Sequence, residues 1–232
     1  MTFYEKPLIY PLGDAALVVS FGTTVDERHN MLVRSLDLVL TQSDMFGIRE
    51  CVPAYSTLTV YYDPLSLSYD TVYQFLYQLV GKLEIEERKV KEEKVIPVWY
   101  NGPDLTDVSQ HTGLTIEEII AIHTAKCYRV YMLGFVPGFP YLGGMDKRLA
   151  TPRKAIPRVK IPAGSVGIAG EQTGIYPLDT PGGWQIIGQT PMVMFDMRLQ
   201  DHPARVAAGD LLRFVSIEEG EFWDLKRGED GH

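Results

Sequence analysis

The sequence has few cysteines: only Cys51 and Cys127 occur among 232 residues. They lie far apart and form no Cys-x-x-Cys motif of the kind that binds zinc or carries redox chemistry, so we predict two free thiols in a reducing compartment. The sequence also lacks an uncharged apolar run of about 18 residues, the length that a membrane-spanning helix needs. Residues 1–10 contain no apolar segment typical of an export signal. These features predict a cytoplasmic protein without a membrane span.

Positive charge is scarce as well. The chain has 22 Lys and Arg residues against 30 Asp and Glu residues, which gives a formal net charge of −8 at pH 7. An acidic protein has no overall attraction to nucleic acid or to anionic membranes, so we expect neither as a partner. Apolar residues make up 45% and charged residues 22% of the chain, which is typical of a globular protein.

Several signatures of catalytic and metal sites are missing too. No Gly-x-x-x-x-Gly-Lys-Ser/Thr motif is present, so the chain has no phosphate-binding P-loop, and we expect another chain to hold any ATP. The segment Gly164-Ser165-Val166-Gly167 is one residue short of the Gly-x-Ser-x-Gly motif of serine hydrolases. The five histidines never occur at the close spacing of a helical zinc site, so we predict no metal centre.

The first half of the sequence predicts a small α+β domain. Residues 15–21 and 51–62 have the composition of strands, and residues 25–40 and 69–83 place apolar side chains at helical spacing. This alternation is typical of helices packed on one face of a sheet. Residues 82–94 are densely charged with both signs and indicate a surface connector. We therefore predict two domains, 1–90 and 91–232.

The second half predicts mainly β structure. After a strand at 95–100, short helices are predicted at 104–111 and 116–125, the second begun by a capping box of Thr115 and Glu118. Eleven of the 21 glycines and seven of the 15 prolines then lie between residues 134 and 188. Short β segments separated by so many turns are typical of a small barrel or sandwich. The predicted segments are 166–169, 184–187, 192–195 and 211–217.

Two turn-rich segments supply candidate binding residues. In residues 131–144, YMLGFVPGFPYLGG, aromatic side chains alternate with glycine and proline, so they provide flat apolar walls for a pocket or fill the end of a barrel. Residues 170–188 add neutral hydrogen-bonding groups and further aromatic rings, as small-molecule pockets often do, although turn formation explains their glycines equally well. The candidates are Phe135, Phe139, Tyr141, Gln172, Thr173, Tyr176 and Trp184.

A basic segment follows the first of these. Residues 147–160 contain six cations and no acid, within a protein of net charge −8. The planar guanidinium of arginine suits carboxylates and phosphates, so Arg153 and Arg158 are candidate ligands for an anionic substrate or an acidic partner. For the lysines we favour a solvated strand edge protected by charge.

His123 is the third candidate for a catalytic role. The predicted helix 116–125 places it on the same face as Ile116, Ile119 and Ile120, so its imidazole points into the domain. Two interpretations stay open: a core histidine with satisfied hydrogen bonds, or a general acid or base close to the aromatic segment.

Long motifs along the sequence are more specific than any single dipeptide. They are LGDAALVVSFG, ECVPAYSTLTVYYDP, HTAKCYRVYMLGF, GFVPGFPYLGG, PR-x-x-x-PR, IPAGSVGIAGEQTGIYP and PGGWQIIGQTP. With these motifs the sequence resembles the allophanate hydrolase subunit 1 family, and the resemblance covers practically the whole chain. It implies a small N-terminal α/β domain followed by a cyclophilin-like β-barrel.

The resemblance also implies a function. It points to the B subunit of a heteromeric 5-oxoprolinase, which uses ATP to open 5-oxo-L-proline to L-glutamate; its partners would be an A subunit and a C subunit, the latter of the allophanate hydrolase subunit 2 type. We expect a phosphorylated lactam as the intermediate, and our hypothesis is that Arg153 and Arg158 bind this anion. The family also includes an inhibitor of a sporulation kinase, so the alternative is a non-catalytic module that binds a sensor histidine kinase and blocks its autophosphorylation.

Overall fold

The computed structural model describes residues 7–24, 26–83, 93–199 and 202–230. The chain divides into two compact units, Met1–Lys89 and Val90–His232. The charged segment that carries the predicted domain boundary falls mostly on residues 84–92, which lie outside the described residues. Within the described ranges, no helix is long and apolar enough to cross a membrane.

The N-terminal unit consists of a four-stranded antiparallel sheet and two helices. The strands lie in the order β1-β2-β4-β3, so the two strands predicted from residues 51–62 are neighbours. The predicted alternation of strands and helices in this half is confirmed. The elements are β1 (Leu8–Pro11), β2 (Ala16–Ser20), α1 (Glu27–Ser43), β3 (Ile48–Pro53), β4 (Thr57–Tyr62) and α2 (Tyr69–Gly81).

The core of this unit follows from the apolar side chains at every second residue of its strands and at every third or fourth residue of its helices. Alternate residues of β2 and β4 face the same side as the apolar stripes of α1 and α2. The helices begin where side-chain caps accept backbone N–H groups: Asp26 accepts from Arg28 and His29, and Ser68 accepts from Thr71. The buried core side chains include Leu17, Val19, Val33, Leu36, Leu58, Val60, Val72 and Leu76.

The C-terminal unit contains a seven-stranded sheet in the order β12-β9-β10-β7-β6-β13-β5, in which only β13 and β5 run parallel. The predicted capping box is confirmed, because Thr115 accepts from the backbone N–H of Glu118 and the Glu118 carboxylate accepts from that of Thr115. The elements are β5 (Glu93–Val98), α3 (Leu105–Thr112), α4 (Ile116–Thr124), β6 (Cys127–Leu133), β7 (Pro140–Gly143), a 3-10 turn (Lys147–Leu149), β8 (Arg158–Ile161), β9 (Ser165–Ala169), β10 (Gln172–Ile175), β11 (Thr180–Gly182), β12 (Gln185–Gln189), β13 (Leu211–Ser216) and α5 (Glu219–Asp230). Strands β8 and β11 form a separate two-stranded ribbon.

The two edge strands of the large sheet meet and nearly close it into a barrel. Trp99, just after β5, and Gln189, at the end of β12, each donate a backbone N–H to the carbonyl of the other at 2.9 Å. The contact continues beyond β5, since Gly102 donates to Ile187 at 3.1 Å and Asp104 donates to Ile186 at 3.0 Å. The turn-rich second half therefore forms a nearly closed barrel.

Two parts of this unit differ from the sequence prediction. Residues 192–195 do not form a strand: only Phe195 pairs, in an isolated bridge with Ala204. Pro191 precedes this segment and cannot donate to a strand ladder, and the Val193 backbone bonds to the side chains of Glu229 and Arg205 instead of to another strand. Helix α5 was not predicted, because its sequence is mostly charged and its buried contact, Phe222 against the Trp99 ring at 5.5 Å, is remote in sequence.

We expect Gly102→Ala to destabilise the barrel by about 2 kcal/mol or more. A Cβ at Gly102 would lie 2.2 Å from the Ile186 carbonyl oxygen and 2.4 Å from the Ile187 Cα, and these backbone atoms cannot move without opening the closure. Urea unfolding followed by tryptophan fluorescence measures the effect on this unit, because all three tryptophans (Trp99, Trp184 and Trp223) belong to it.

The control for this measurement is Gly228→Ala in helix α5. A Cβ at Gly228 has no atom within 4 Å, so this change should be neutral or slightly stabilising. Equal unfolding midpoints for Gly102→Ala and the wild-type protein would contradict the tight closure at Gly102.

Candidate functional site

Five aromatic side chains come together in the C-terminal unit, and we call them the aromatic cluster: Phe135, Phe139, Tyr141, Tyr176 and Trp184. Phe139 lies at the centre, with ring centroids 5.7 Å from Phe135, 4.9 Å from Tyr141, 5.2 Å from Tyr176 and 5.3 Å from Trp184. Most of these contacts are edge-to-face, the favourable arrangement for aromatic pairs. The structure thus brings together every aromatic candidate of the two turn-rich segments.

Strand pairing and glycines place these rings. Strands β7 and β10 pair through Tyr141 and Gly174, and a Cβ at Gly174 would lie 3.0 Å from the Phe139 ring. Gly182 has the same role for Tyr176, since a Cβ there would lie 2.4 Å from the tyrosine hydroxyl. The glycines of these segments therefore make room for the rings.

The cluster is packed inside and open on one side. Phe139, Tyr176 and Trp184 are buried, Tyr141 is half-buried, and Phe135 is 60% exposed. Phe135 also has a backbone φ of 67°, in the left-handed region that bulky residues rarely occupy. Phe139, Tyr176 and Trp184 therefore form the inside of the cluster, and Phe135 and Tyr141 form its exposed side.

Burial raises the pKa of both phenols of the cluster. It raises the pKa of Tyr176 to about 12, because its effect outweighs the opposite effects of the Trp184 backbone N–H and of the positive charges of Arg153 and Arg158. Burial likewise raises the pKa of Tyr141, against an opposite effect of Arg153. Both arginines are therefore close enough to the cluster to act on it electrostatically.

Arg158 reaches a buried carboxylate with one half of its guanidinium. Its Nη2 donates to Asp104 Oδ1 at 2.6 Å. Its Nη1 is also buried, yet it has no hydrogen-bond partner within the described part of the chain. A buried donor without a partner is costly, so this nitrogen is a candidate ligand for an oxygen atom.

Asp104 is the buried centre of a charged cluster. Its side chain is 2% exposed, and the carboxylate accepts three hydrogen bonds, from Arg158 Nη2, from Lys154 Nζ at 2.7 Å and from the Ile186 backbone N–H at 2.7 Å. Burial alone would raise the pKa of Asp104, but the bonds from Arg158, Lys154 and Ile186 together hold it below its ordinary value. Asp104 is thus charged, and it binds both cations. Lys154 also donates to Asp107 at 3.0 Å.

Most of the basic segment is neutralised by ion pairs. Lys147 and Lys160 are exposed and pair with Glu171 and Asp179, which fits the predicted solvated edge. Arg148 pairs with Asp146, and Lys154 and Arg158 share Asp104. Among the described residues, Arg153 is the one cation of this segment without a carboxylate partner. It is exposed, and its charge remains available to a ligand.

His123 lies in the core and takes part in a chain of hydrogen bonds. The ring is fully buried, with Tyr100 Oη 2.7 Å from Nδ1 and Thr173 Oγ1 2.9 Å from Nε2. Because the single Thr173 hydroxyl proton goes to the Gly167 carbonyl at 3.0 Å, Nε2 must carry the imidazole proton and Tyr100 must donate to Nδ1. Burial lowers the pKa of His123 to about 3, so the ring is neutral. This environment favours the core interpretation over the catalytic one.

Comparison with known proteins identifies the family. Residues 7–206 match the model of the carboxyltransferase domain, subdomain C and D. This chain belongs to that family. Within the carboxyltransferase family, it is 45% identical to the 5-oxoprolinase B subunit of Bacillus subtilis (strain 168), over 94% of this chain and 96% of the relative. It is 41% identical to the 5-oxoprolinase B subunit of Escherichia coli O157:H7, over 93% and 99%.

A solved structure agrees with this assignment. The crystal structure of TTHA0988 matches 88% of the present chain, with a TM-score of 0.79 and 37% identity. The present chain spans 40% of the length of that larger chain. The resemblance to the allophanate hydrolase subunit 1 family is thereby confirmed.

Two candidate binding residues of this carboxyltransferase-family protein, Thr173 and Gln172, are not members of the aromatic cluster. Thr173 bonds to His123, whereas its neighbour Gly174 faces the Phe139 ring, because successive residues of a strand point to opposite faces. Gln172 is half-buried at the start of β10. The role of Asp104 was not predicted from the sequence. An Asp at the first position of a predicted helix is normally interpreted as a helix cap. No group of three or more His, Cys, Asp or Glu in the described ranges is arranged to hold a metal ion.

Proposed function

We propose that this chain is the B subunit of a heteromeric 5-oxoprolinase, which opens 5-oxo-L-proline to L-glutamate with ATP, together with the A and C subunits. The observation that carries the proposal is its near full-length identity, 41–45%, to two proteins of that name. ATP would be used by the complex of the three subunits. The C subunit would be a protein of the allophanate hydrolase subunit 2 type.

The chemistry of the site supports this function. 5-Oxo-L-proline is a small lactam ring with one carboxylate, so it offers a flat face for Phe135 and Tyr141 and an anionic group for arginine. The exposed Arg153 and the free Nη1 of Arg158 would bind the carboxylate, or the phosphate of an activated lactam. The protonated phenols of Tyr141 and Tyr176 would serve as hydrogen-bond donors. His123 would support the fold from the core.

Three finer features belong to the same proposal. The nearly closed barrel would be of the cyclophilin-like type. The domains would extend over 1–90 and 91–232, close to the division into compact units. The protein would act in the cytoplasm, where Cys51 and Cys127, which form no disulfide, would stay reduced.

Co-expression with candidate A and C subunits tests the function. We expect the purified complex to release glutamate from 5-oxo-L-proline only when ATP is added, and to lose this activity when the present chain is omitted. Full activity without this chain would contradict the proposal. A well-assembled but inactive complex would also contradict it, and would favour the kinase-binding alternative.

A further inference from the structure

We infer that Asp104 is a positioning residue for the substrate site, holding Arg158 so that its Nη1 is presented to an anionic oxygen of the substrate. The inference rests on the proposed function, because it assigns a role within the same site. Its starting point is an unusual use of a helix cap. Asp104 is the N-cap residue of α3, yet its side chain makes no cap hydrogen bond to that helix.

The carboxylate instead crosses to two other segments. Oδ1 accepts from Arg158 Nη2 and Lys154 Nζ, and Oδ2 accepts from the Ile186 backbone N–H. The backbone N–H of Asp104 in turn donates to the Ile186 carbonyl at 3.0 Å. One buried side chain therefore ties Arg158 to strand β12, which follows directly after Trp184 of the aromatic cluster.

The bond to Asp104 holds Arg158 beside the aromatic cluster and leaves one of its guanidinium nitrogens without a hydrogen-bond partner among the described residues. The Arg158 backbone pairs with Gly182, and the Tyr176 hydroxyl lies against Gly182. Asp104 occupies Nη2, whereas the buried Nη1 has no partner in the described ranges. The planar guanidinium has fixed donor directions, so bonding at one nitrogen sets the direction of the other.

The charges of this group indicate an anionic ligand. Asp104 and Asp107 balance Lys154 and Arg158, so these four side chains have no net charge together. Arg153, exposed and without a carboxylate partner among the described residues, adds one positive charge nearby. The positive charge of Arg153 would balance the negative charge of one carboxylate or phosphate bound to Arg158 Nη1.

The test compares Asp104→Asn with the matched control Asp224→Asn in the assembled oxoprolinase complex. The asparagine side chain of Asp104→Asn retains an oxygen for the Ile186 N–H but lacks the negative charge that holds Arg158, so we expect KM for 5-oxo-L-proline to rise at least tenfold. The Asp224 side chain is 72% exposed and pairs with Arg227 of the same helix α5, so its loss should change KM less than twofold. Asp104→Glu, which keeps the charge, should recover part of the loss. An unchanged KM in Asp104→Asn would overturn the inference.

A double-mutant comparison separates positioning from a general structural role. If Asp104 acts through Arg158, Asp104→Asn should change KM less than twofold in an Arg158→Ala background. Full additivity of the two changes would overturn the inference. A purely structural role would lower the amount of folded complex and leave the KM of the remaining complex unchanged.

Inorganic phosphate distinguishes failure of this inference from failure of the proposed function. If the wild-type complex is inactive on 5-oxo-L-proline, the proposed function fails, and calorimetric titration of the full chain with phosphate still tests Asp104. Phosphate binding that is at least tenfold weaker in Asp104→Asn than in Asp224→Asn would support positioning. Equal binding by the two variants would overturn it.

Discussion

Arg158→Ala is expected to lower kcat/KM of the assembled oxoprolinase complex about 100-fold. The change removes the buried Nη1 proposed to bind the substrate anion and the Nη2 bond to Asp104. Loss of charge-assisted hydrogen bonds of this kind is worth about 3 kcal/mol, which corresponds to roughly 100-fold in rate. The measurement is steady-state glutamate release on complexes of confirmed composition.

Two variants make this result specific. Lys147→Ala removes a cation of the same segment whose side chain is 81% exposed, so activity should stay within twofold of wild type. Arg158→Lys keeps the charge and one bond to Asp104 but has no second nitrogen, so it should be intermediate. Activity of Arg158→Ala equal to wild type, in an intact complex, would rule out a role for this side chain in substrate binding.

The C-terminal unit is expected to lose about 2 kcal/mol of stability between pH 7 and pH 5 because of His123. Burial lowers the pKa of the folded imidazole from 6.5 to about 3. Below pH 6.5 the unfolded chain therefore binds a proton that the folded protein does not accept. The stability is fully present above pH 6.5 and falls progressively as the pH drops towards 3.

Urea unfolding at several pH values, followed by tryptophan fluorescence, measures this effect. In His123→Gln the amide can still accept from Tyr100 and donate to Thr173, while the stacking on Phe214 at 4.5 Å is lost. We expect this variant to be less stable at pH 7 and to depend less on pH between 7 and 5. Replacing the exposed His111 with glutamine should retain the wild-type pH dependence. A wild-type pH dependence in His123→Gln would assign the acid sensitivity to other groups.

Features determined by nearby residues were predictable from the sequence. The apolar spacing of α1 and α2 and the Thr115 and Glu118 capping box depend on side chains three or four positions apart, and the structure contains them. The aromatic candidates were also found, because rings among glycines and prolines match neither a helix nor a strand period. Their assembly around Phe139 depends on the pairing of β7 with β10.

Features determined by distant residues were not predictable in this way. Asp104 and Arg158 are separated by 54 positions, and no local pattern connects them. The six cations of residues 147–160 looked like a basic patch because their acidic partners lie elsewhere, as Asp104 and Glu171 do. Helix α5 is stabilised by Phe222 packing on Trp99, which its mostly charged sequence does not reveal.

The position of β13 has a consequence for the nascent chain on the ribosome. This strand lies between β6 and β5, so the first strand of the C-terminal unit finds its parallel neighbour only after residues 211–216 have been made. At roughly 5–20 residues per second, the wait is on the order of ten seconds. The four-stranded N-terminal sheet needs nothing beyond β4 and α2. During synthesis, the C-terminal unit therefore exposes an unpaired strand edge for longer than the N-terminal unit does.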